Sequence, residues 1–366
     1  MRTLERGRRH ESLEKSIASI AFAYGFSAPP VQVSRKAVSS VKHDDPKTAV
    51  ALAVMKQQTA KGKPVQVWGG ARTGRGMTLT FGTVGTRAAI GNALIVKTAL
   101  SIAELAGFDS PAVSVSSIGD AESKRRFTRE LGNFFKKNHD VVPEDLKARA
   151  LHDPDAVYRE LLQRKDALIE RAPRTIDYLS ESSRKTMLET LSLFESVGIP
   201  YSIDARMHGE QAIHSELIFG IDATERDGTK TRIAVGGRFN DTARKSFGID
   251  SDTATALSLS LPRDVDLDAV DREPACYVVH VGEAARLKAF TLLEALWRAH
   301  IAVTQTLMAE SFKEQIDLGK LSGAKYLAII GQREALDNTI IIRNTATQLQ
   351  VTLPADKLEA YVSRTR

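Results

Sequence analysis

Cysteine is almost absent from this sequence: Cys276 stands alone in 366 residues. That excludes an intrachain disulfide and any cysteine-rich zinc site. Long apolar runs are missing as well. Hydrophobic residues make up 42% of the chain, enough for a sizeable core, but no run has the length a membrane helix needs. The basic start, Met1 to His10, is not followed by the apolar segment of a signal peptide, because Glu11, Glu14 and Lys15 come next. Those acids also disagree with a transit peptide, so a cytoplasmic location without membrane contact is expected. Metal and nucleophile motifs are absent too. His208 and His214 lie six apart in a segment that reads as strand, so they do not share a helix face as a zinc pair would. Gly69, Gly70, Gly74 and Gly76 are not followed by the Lys-Ser or Lys-Thr of a phosphate loop.

Positive charge is in excess. Lys and Arg number 51 against 45 Asp and Glu, for a net charge of +6 and a pI near 9.3. That balance permits a polyanionic partner such as RNA, since each cation near a phosphate releases a counterion. It does not require one.

The periodicity predicts an α+β first domain. Leu13, Ile17, Ile20 and Ala21 are spaced as a helix over Ser12–Tyr24, and Pro46–Thr59 reads as a second helix. Pro64–Trp68 and Met77–Val84 read as strands around a glycine-rich turn, Gly69 to Gly76. Helices follow over Ala88–Ala106 and Asp120–Lys137, with a short strand at Ala112–Ser116 between them. Residues 138–190 are polar and helical in pattern, and read as an insertion. Pro200–Ala205, Ser215–Ala223, Thr231–Gly236 and Thr255–Leu261 then read as antiparallel strands, with Asp227-Gly228 as a hairpin turn. After an acidic linker over 264–275, strand and helix alternate from Cys276 onward, which argues for an α/β layer fold over 276–366.

Several short motifs occur in an order that resembles the histidyl-tRNA synthetase family, with its class II core over residues 1–263 and its anticodon-binding domain after them. Tyr24-Gly25-Phe26 with Pro29-Pro30 is similar to the first class II motif, which lies at a dimer interface. Ala71-Arg72 is similar to the Phe-Arg of the second, and the segment from Ala254 to Arg263 to the third. Ser117-Ile118-Gly119-Asp120, and Arg171 to Pro173 through Asp177 to Leu179, fall in the expected order. Gly236-Gly237-Arg238-Phe239-Asn240 is similar to the Gly-Gly-Arg-Tyr-Asp signature of histidyl enzymes. Val281-Gly282-Glu283, Ser311 to Gln315, Gly323-Ala324 and Ile330 to Glu334 match in the last domain.

The resemblance implies a class II synthetase-like antiparallel sheet with a helical insertion, followed by an α/β anticodon-binding-like domain. It implies a homodimer and ATP, with magnesium, held by Arg72 and Arg263. Fixed guanidinium forks suit the charge that builds on the α-phosphate during adenylate formation. The amino-acid pocket, however, has diverged. Asp44 to Thr48 stand where the family has Arg-Pro-Glu-x-Thr, Thr83 replaces a glutamine, and Arg87 replaces a glutamate. Gly209, Glu210, Gln211, Ala212, Ile213 and His214 stand where it has Arg-Gly-Leu-Asp-Tyr-Tyr. Losing paired polar groups from a pocket costs orders of magnitude in activity, and Arg87 would repel a substrate ammonium group. No catalytic residue is therefore intact, and Gly236 and Gly237 are the remaining pocket positions.

The expected function is an RNA-binding or regulatory paralogue that retains at most residual ATP binding. Its partner is tRNA, another RNA or a protein. Lys313, Arg333 and Arg343 are the candidate RNA contacts, though ordinary solvated cations fit them equally. The alternative is a divergent but working histidine–tRNA ligase that uses Glu210, Gln211 and His214. A lesser alternative is the regulatory subunit of ATP phosphoribosyltransferase, a family that generally lacks the anticodon-binding domain.

Overall fold

The computed structural model describes residues 17–26, 63–73, 76–86, 88–209, 211, 213–224, 228–247, 254–262 and 273–364. The expected helix at Pro46–Thr59, the segments Pro29-Pro30 and Asp44 to Thr48, Arg87, Glu210, Arg263 and most of the acidic linker lie outside them. Residues 17–23 form helix α1. The first sheet opens with a hairpin of β1 (Val65–Thr73) and β2 (Gly76–Val84). Here the expected glycine-rich turn is corrected. Gly69 to Thr73 are strand, paired from Gly69↔Thr80 to Thr73↔Gly76. Glycine weakens a strand without forbidding it, and two paired strands override the local turn preference.

Helix α2 (Ile90–Leu105) is buried from Ile90 to Ala103 and stops at Gly107, where φ is +86°. An all-round apolar helix has to be an inner one, and α2 packs on β3 (Asp109–Gly119) and on the strand over 254–261. Next comes α3 (Ala121–Lys137), capped by the Asp120 carboxylate, which accepts from the Ser123 amide. Its buried Phe127, Leu131 and Phe135 recur every fourth residue. With α4 (Glu144–Ala150) and α5 (Pro154–Arg164) they form a separate apolar cluster that runs from Phe127 to Ala172. Leu179 and the buried residues of α6 (Glu181–Ser196) join the main core instead. The inserted lobe thus borrows α3 as its floor.

The remaining core strands are β4 (Tyr201–Ile203), β5 (Ser215–Thr224), β6 (Lys230–Arg238) and β7 (Ala254–Leu261), in sheet order β1-β2-β7-β6-β5-β3-β4. All neighbours pair antiparallel except β3 and β4, which run parallel. This corrects the antiparallel expectation for Pro200–Ala205. A strand reached through a long helical crossover returns in the same direction as the one it left. A further helix, α7 (Asn240–Phe247), fills the gap before β7, where the sequence pattern gave no signal.

The second sheet holds β8 (Cys276–His280), β9 (Val303–Gln305), β10 (Tyr326–Ile330), β11 (Thr339–Asn344) and β12 (Gln350–Pro354), in order β12-β11-β10-β8-β9. The three strands β9, β8 and β10 are parallel and buried. Helices α8 (Glu283–Arg298), α9 (Phe312–Leu321), α10 (Gln332–Asp337) and α11 (Leu358–Arg364) complete the layers. Only the six-residue α10 was not anticipated.

Residues 17–26 tie the two sheets together. The Tyr24 carbonyl accepts from Gln66 Nε2 at 2.8 Å and from Gln305 Nε2 at 2.7 Å, and the Phe22 carbonyl accepts from Thr304 Oγ1 at 2.8 Å. Beneath them Lys97 of α2 meets Glu294 of α8 at 3.0 Å, both side chains buried.

Candidate functional site

The loop 204–214, between β4 and β5, carries the diverged pocket segment. It is pinned from the insertion side. Lys124 of α3, itself buried, donates from Nζ to the Gln211 carbonyl at 2.9 Å, the His214 carbonyl at 2.5 Å and Asp241 Oδ2 at 3.1 Å. Thr128 donates to Gln211 Oε1 at 3.3 Å. Arg206 reaches the carbonyls of Ala172 and Glu170. His208 bonds Asp155 of α5 at 2.8 Å, with its ring against Tyr158 and Phe127. Burial alone would raise the Asp155 carboxyl, but the hydrogen bond and charge of His208, with Arg159, hold it below the ordinary carboxylate range. His208 is therefore a loop anchor rather than a residue on a sheet face. This corrects the strand reading around His208 and His214.

Behind the loop lies a cavity of about 280 Å³. Its lining brings together Gly209, His214 and Gly236 from the sequence candidates, with Met207, Ile213, Ile218, Val235 and Phe239. The His214 ring lies 4.8 Å from that of Phe239. Apart from the two histidines, the charged group on this lining is Arg232, and it is engaged. Its guanidinium makes a two-point contact with Asp222, at 2.5 and 3.0 Å. Asp222 also accepts from Ser114 Oγ at 2.7 Å. Burial pushes the Asp222 carboxyl up, but Arg232 and Ser114 hold it below the usual range.

The two signature glycines have a packing reason of their own. A Cβ on Gly236 would come 2.5 Å from the Ala256 carbonyl oxygen, and one on Gly237 would come 2.7 Å from that of Leu217. Both strands approach too closely for a side chain.

Thr83 lies elsewhere. It pairs with Thr255 across β2 and β7, and a Cβ on Gly91 of α2 would sit 3.3 Å from its hydroxyl. It belongs to a buried polar layer against α2. There Asn92 Oδ1 accepts from Thr255 Oγ1 at 2.9 Å and from Arg238 Nε at 3.2 Å, while Asn92 Nδ2 donates to Thr190 at 3.1 Å. Burial lowers the Arg238 guanidinium from its usual value, against the attraction of Glu216 and Glu189. Burial likewise raises Glu216, whose Oε2 has no hydrogen-bond partner among the described residues and whose φ is +55°. Sequence reasoning singled out the Arg238 signature but missed Lys124, Asp155, Glu216 and Asn92. Nothing local in the chain points to them, because Lys124, Asp155 and Asn92 act on groups more than 50 residues away and Glu216 on an arginine two strands' length away.

Arg72 sits in β1 opposite Met77, but its side chain, like Arg263 as a whole, is outside the described residues. No group of three His, Cys, Asp or Glu among the described residues could hold a metal ion. In the last domain Lys313 is exposed on α9, and Arg333 on α10 reaches Asp337 at 3.4 Å. Arg343 on β11 donates to Gln350 at 3.0 Å. Among the described residues no contact joins the three.

Residues 275–365 match a family model described as an anticodon binding domain. The histidine–tRNA ligase of Limosilactobacillus fermentum is 27% identical over 275 residues, 71% of this chain and 62% of that protein. That of Geobacillus kaustophilus is 27% identical over 282 residues, 74% of this chain and 65% of the other. The matches thus span less than two thirds of either relative. Among solved structures, apo S. aureus histidyl-tRNA synthetase superposes with a TM-score of 0.48 at 21% identity, covering 86% of this chain and 81% of that one. A Bacillus halodurans structure titled as an ATP phosphoribosyltransferase regulatory subunit/histidyl-tRNA synthetase gives 0.47 at 12% identity, covering 90% and 94%.

Proposed function

This chain belongs to the histidyl-tRNA synthetase family, and we propose that it is a member that has lost histidine activation and acts as an RNA-binding protein. Its fold is a class II synthetase-like antiparallel sheet with a helical insertion, followed by an α/β anticodon-binding domain. One observation carries the loss of activation. Besides His214 and His208, the latter held by Asp155, the cavity behind the diverged loop offers Met207, Ile213, Ile218, Val235 and Phe239, and its one arginine is already committed to Asp222. A polar, zwitterionic amino acid needs buried partners for its charges. Here the loop backbone is held instead by Lys124 and Asp155 of the insertion side. The histidine-dependent exchange of pyrophosphate into ATP is the direct test, with background rates expected.

We infer that the retained role belongs to the last domain, with a tRNA or another RNA as partner, in a cytoplasmic homodimer. The family match over residues 275–365 and the net charge of +6 support this. No helix among the described residues is long and apolar enough to cross a membrane. ATP with magnesium, if retained, would rest on Arg72 and Arg263. Filter binding of bulk tRNA to the full chain is expected to weaken steeply with salt. Replacing Lys313, Arg333 and Arg343 together by alanine should reduce the slope of log K against log salt by about 2–3, roughly one per lost phosphate contact. A flat salt response, or an unchanged slope in the triple variant, contradicts this assignment.

A further inference from the structure

The cavity behind the loop 204–214 is unfit for a zwitterion, and the same walls define what it does fit. Among the described residues no lysine and no carboxylate lines it. Arg232 is paired at two points with Asp222, and His208 is held by Asp155 at 2.8 Å. A charged ligand would leave its hydration for walls whose charges are already matched. The lining therefore favours an uncharged molecule.

Arg232 also sets a shape. A Cβ on Gly220 of β5 would come 2.6 Å from Arg232 Cζ and 2.7 Å from its Cδ. The guanidinium thus lies over Gly220, in the space a side chain would take. Asp222, its cross-strand partner in the register of β5 and β6, locks it there. One face of the planar group is turned to the strand and the other away from the sheet, and the side chain is 36% exposed. A guanidinium fixed in this way offers its free face to an aromatic ring, by stacking and by attraction to the ring electrons.

The remaining walls are apolar. Val235 stands on β6, a strand with neighbours on both sides, and is left 46% exposed. Ile213 and Ile218 line the same space, and the His214 ring is propped 4.8 Å from Phe239. Met207 Sδ lies 3.5 Å from the Arg232 guanidinium, and a thioether packs well against ring edges. At about 280 Å³ the cavity is at the small end for ligand pockets, with room for one or two rings.

We propose that this cavity binds a small uncharged aromatic molecule, its ring stacked on Arg232 and its edges against Val235 and Met207. The site rests on the reading that the pocket no longer recognises histidine.

The probe is indole, titrated calorimetrically into the full chain. A Kd at or below about 1 mM is expected, an ordinary value for so few atoms, with indole-3-acetate at least about tenfold weaker. Benzyl alcohol should bind about threefold more tightly than cyclohexylmethanol, although the saturated ring is the more apolar, because the aromatic ring alone gains from the guanidinium face. Arg232→Lys keeps a cation beside Asp222 but has no flat face, and should erase that preference. Val235→Trp, at an exposed lining position, should fill the cavity and block indole, and it decides the matter if Arg232→Lys does not fold. The site is overturned by a Kd for indole above about 1 mM, by equal binding of indole-3-acetate, by tighter binding of cyclohexylmethanol, or by undiminished indole binding in folded Val235→Trp. Titration of L-histidine separates the two readings. Histidine bound more tightly than indole contradicts the loss of histidine recognition, whereas weak binding of both contradicts this site alone.

Discussion

Glu294→Ala is expected to lower the unfolding free energy by roughly 3–5 kcal/mol, the usual cost of removing one partner from a buried ion pair. Glu294 joins three parts of the chain. It accepts from the Tyr24 hydroxyl at 2.6 Å, lies 3.0 Å from Lys97 of α2, and meets Arg298 at 2.8 Å. Arg298 is well exposed and keeps its hydration when the carboxylate goes. Lys97 is buried and cannot. Tyr24 also loses its carboxylate acceptor; burial with the adjacent Glu294 charge already pushes its hydroxyl far above the usual range, and Ser101 is the hydrogen-bonding side chain left beside it.

The loss should appear in urea unfolding as an earlier midpoint, and the double variant Lys97→Met with Glu294→Leu should regain most of it. A well-packed apolar pair often matches a buried ion pair in stability. A single-variant loss below about 1 kcal/mol, the range of exposed pairs, would show that the cluster is not the joint between the two sheets.

The second large effect depends on pH. His280, at the end of β8, is 1% exposed. Burial, with the charge of Arg286, lowers its pKa to about 4. Its Nε2 lies 3.3 Å from the Leu307 carbonyl oxygen, and its backbone exchanges hydrogen bonds with the Gln315 side chain. The folded value lies below the unfolded one, near 6.5. The unfolded chain therefore takes up the proton first as pH falls. The neutral ring's stabilisation is complete above pH 6.5 and is lost as pH falls toward 4.

The difference between those values is worth at most about 3 kcal/mol. Urea midpoints measured from pH 7 to pH 4.5 should fall more steeply for the native chain than for His280→Gln. Parallel pH profiles for the two proteins would contradict a buried neutral histidine.

Most of the frame was legible in the sequence because most of it is periodic. The apolar run of α2, the alternation in β2 and the strand–helix order after Cys276 each reflect a local pattern that burial enforces. The misses have local causes too. Gly69 to Thr73 look like a turn until β2 is there to pair with them. The direction of β4 is set by a crossover through the insertion, not by Tyr201–Ile203 themselves. Helices α7 and α10 are too short for a period to show.

The site was legible by position and not by partner. Gly209, His214 and Gly236 do converge on one cavity, whereas Thr83 stands in the polar layer around Asn92. The groups that hold the loop, Lys124 and Asp155, sit 87 and 53 residues from the atoms they bind. Spacing rules do not reach that far. The same long reach ties the described residues of the loop to the insertion side, through a lysine with three acceptors and a histidine packed against two aromatic rings.

The loss of histidine activation is tested most directly by ATP–pyrophosphate exchange with the full chain, magnesium and saturating histidine. The predicted result is a rate equal to that measured without histidine. Exchange that rises clearly with histidine would contradict the account and make the chain a working ligase, with Glu210, Gln211 and His214 the first residues to replace.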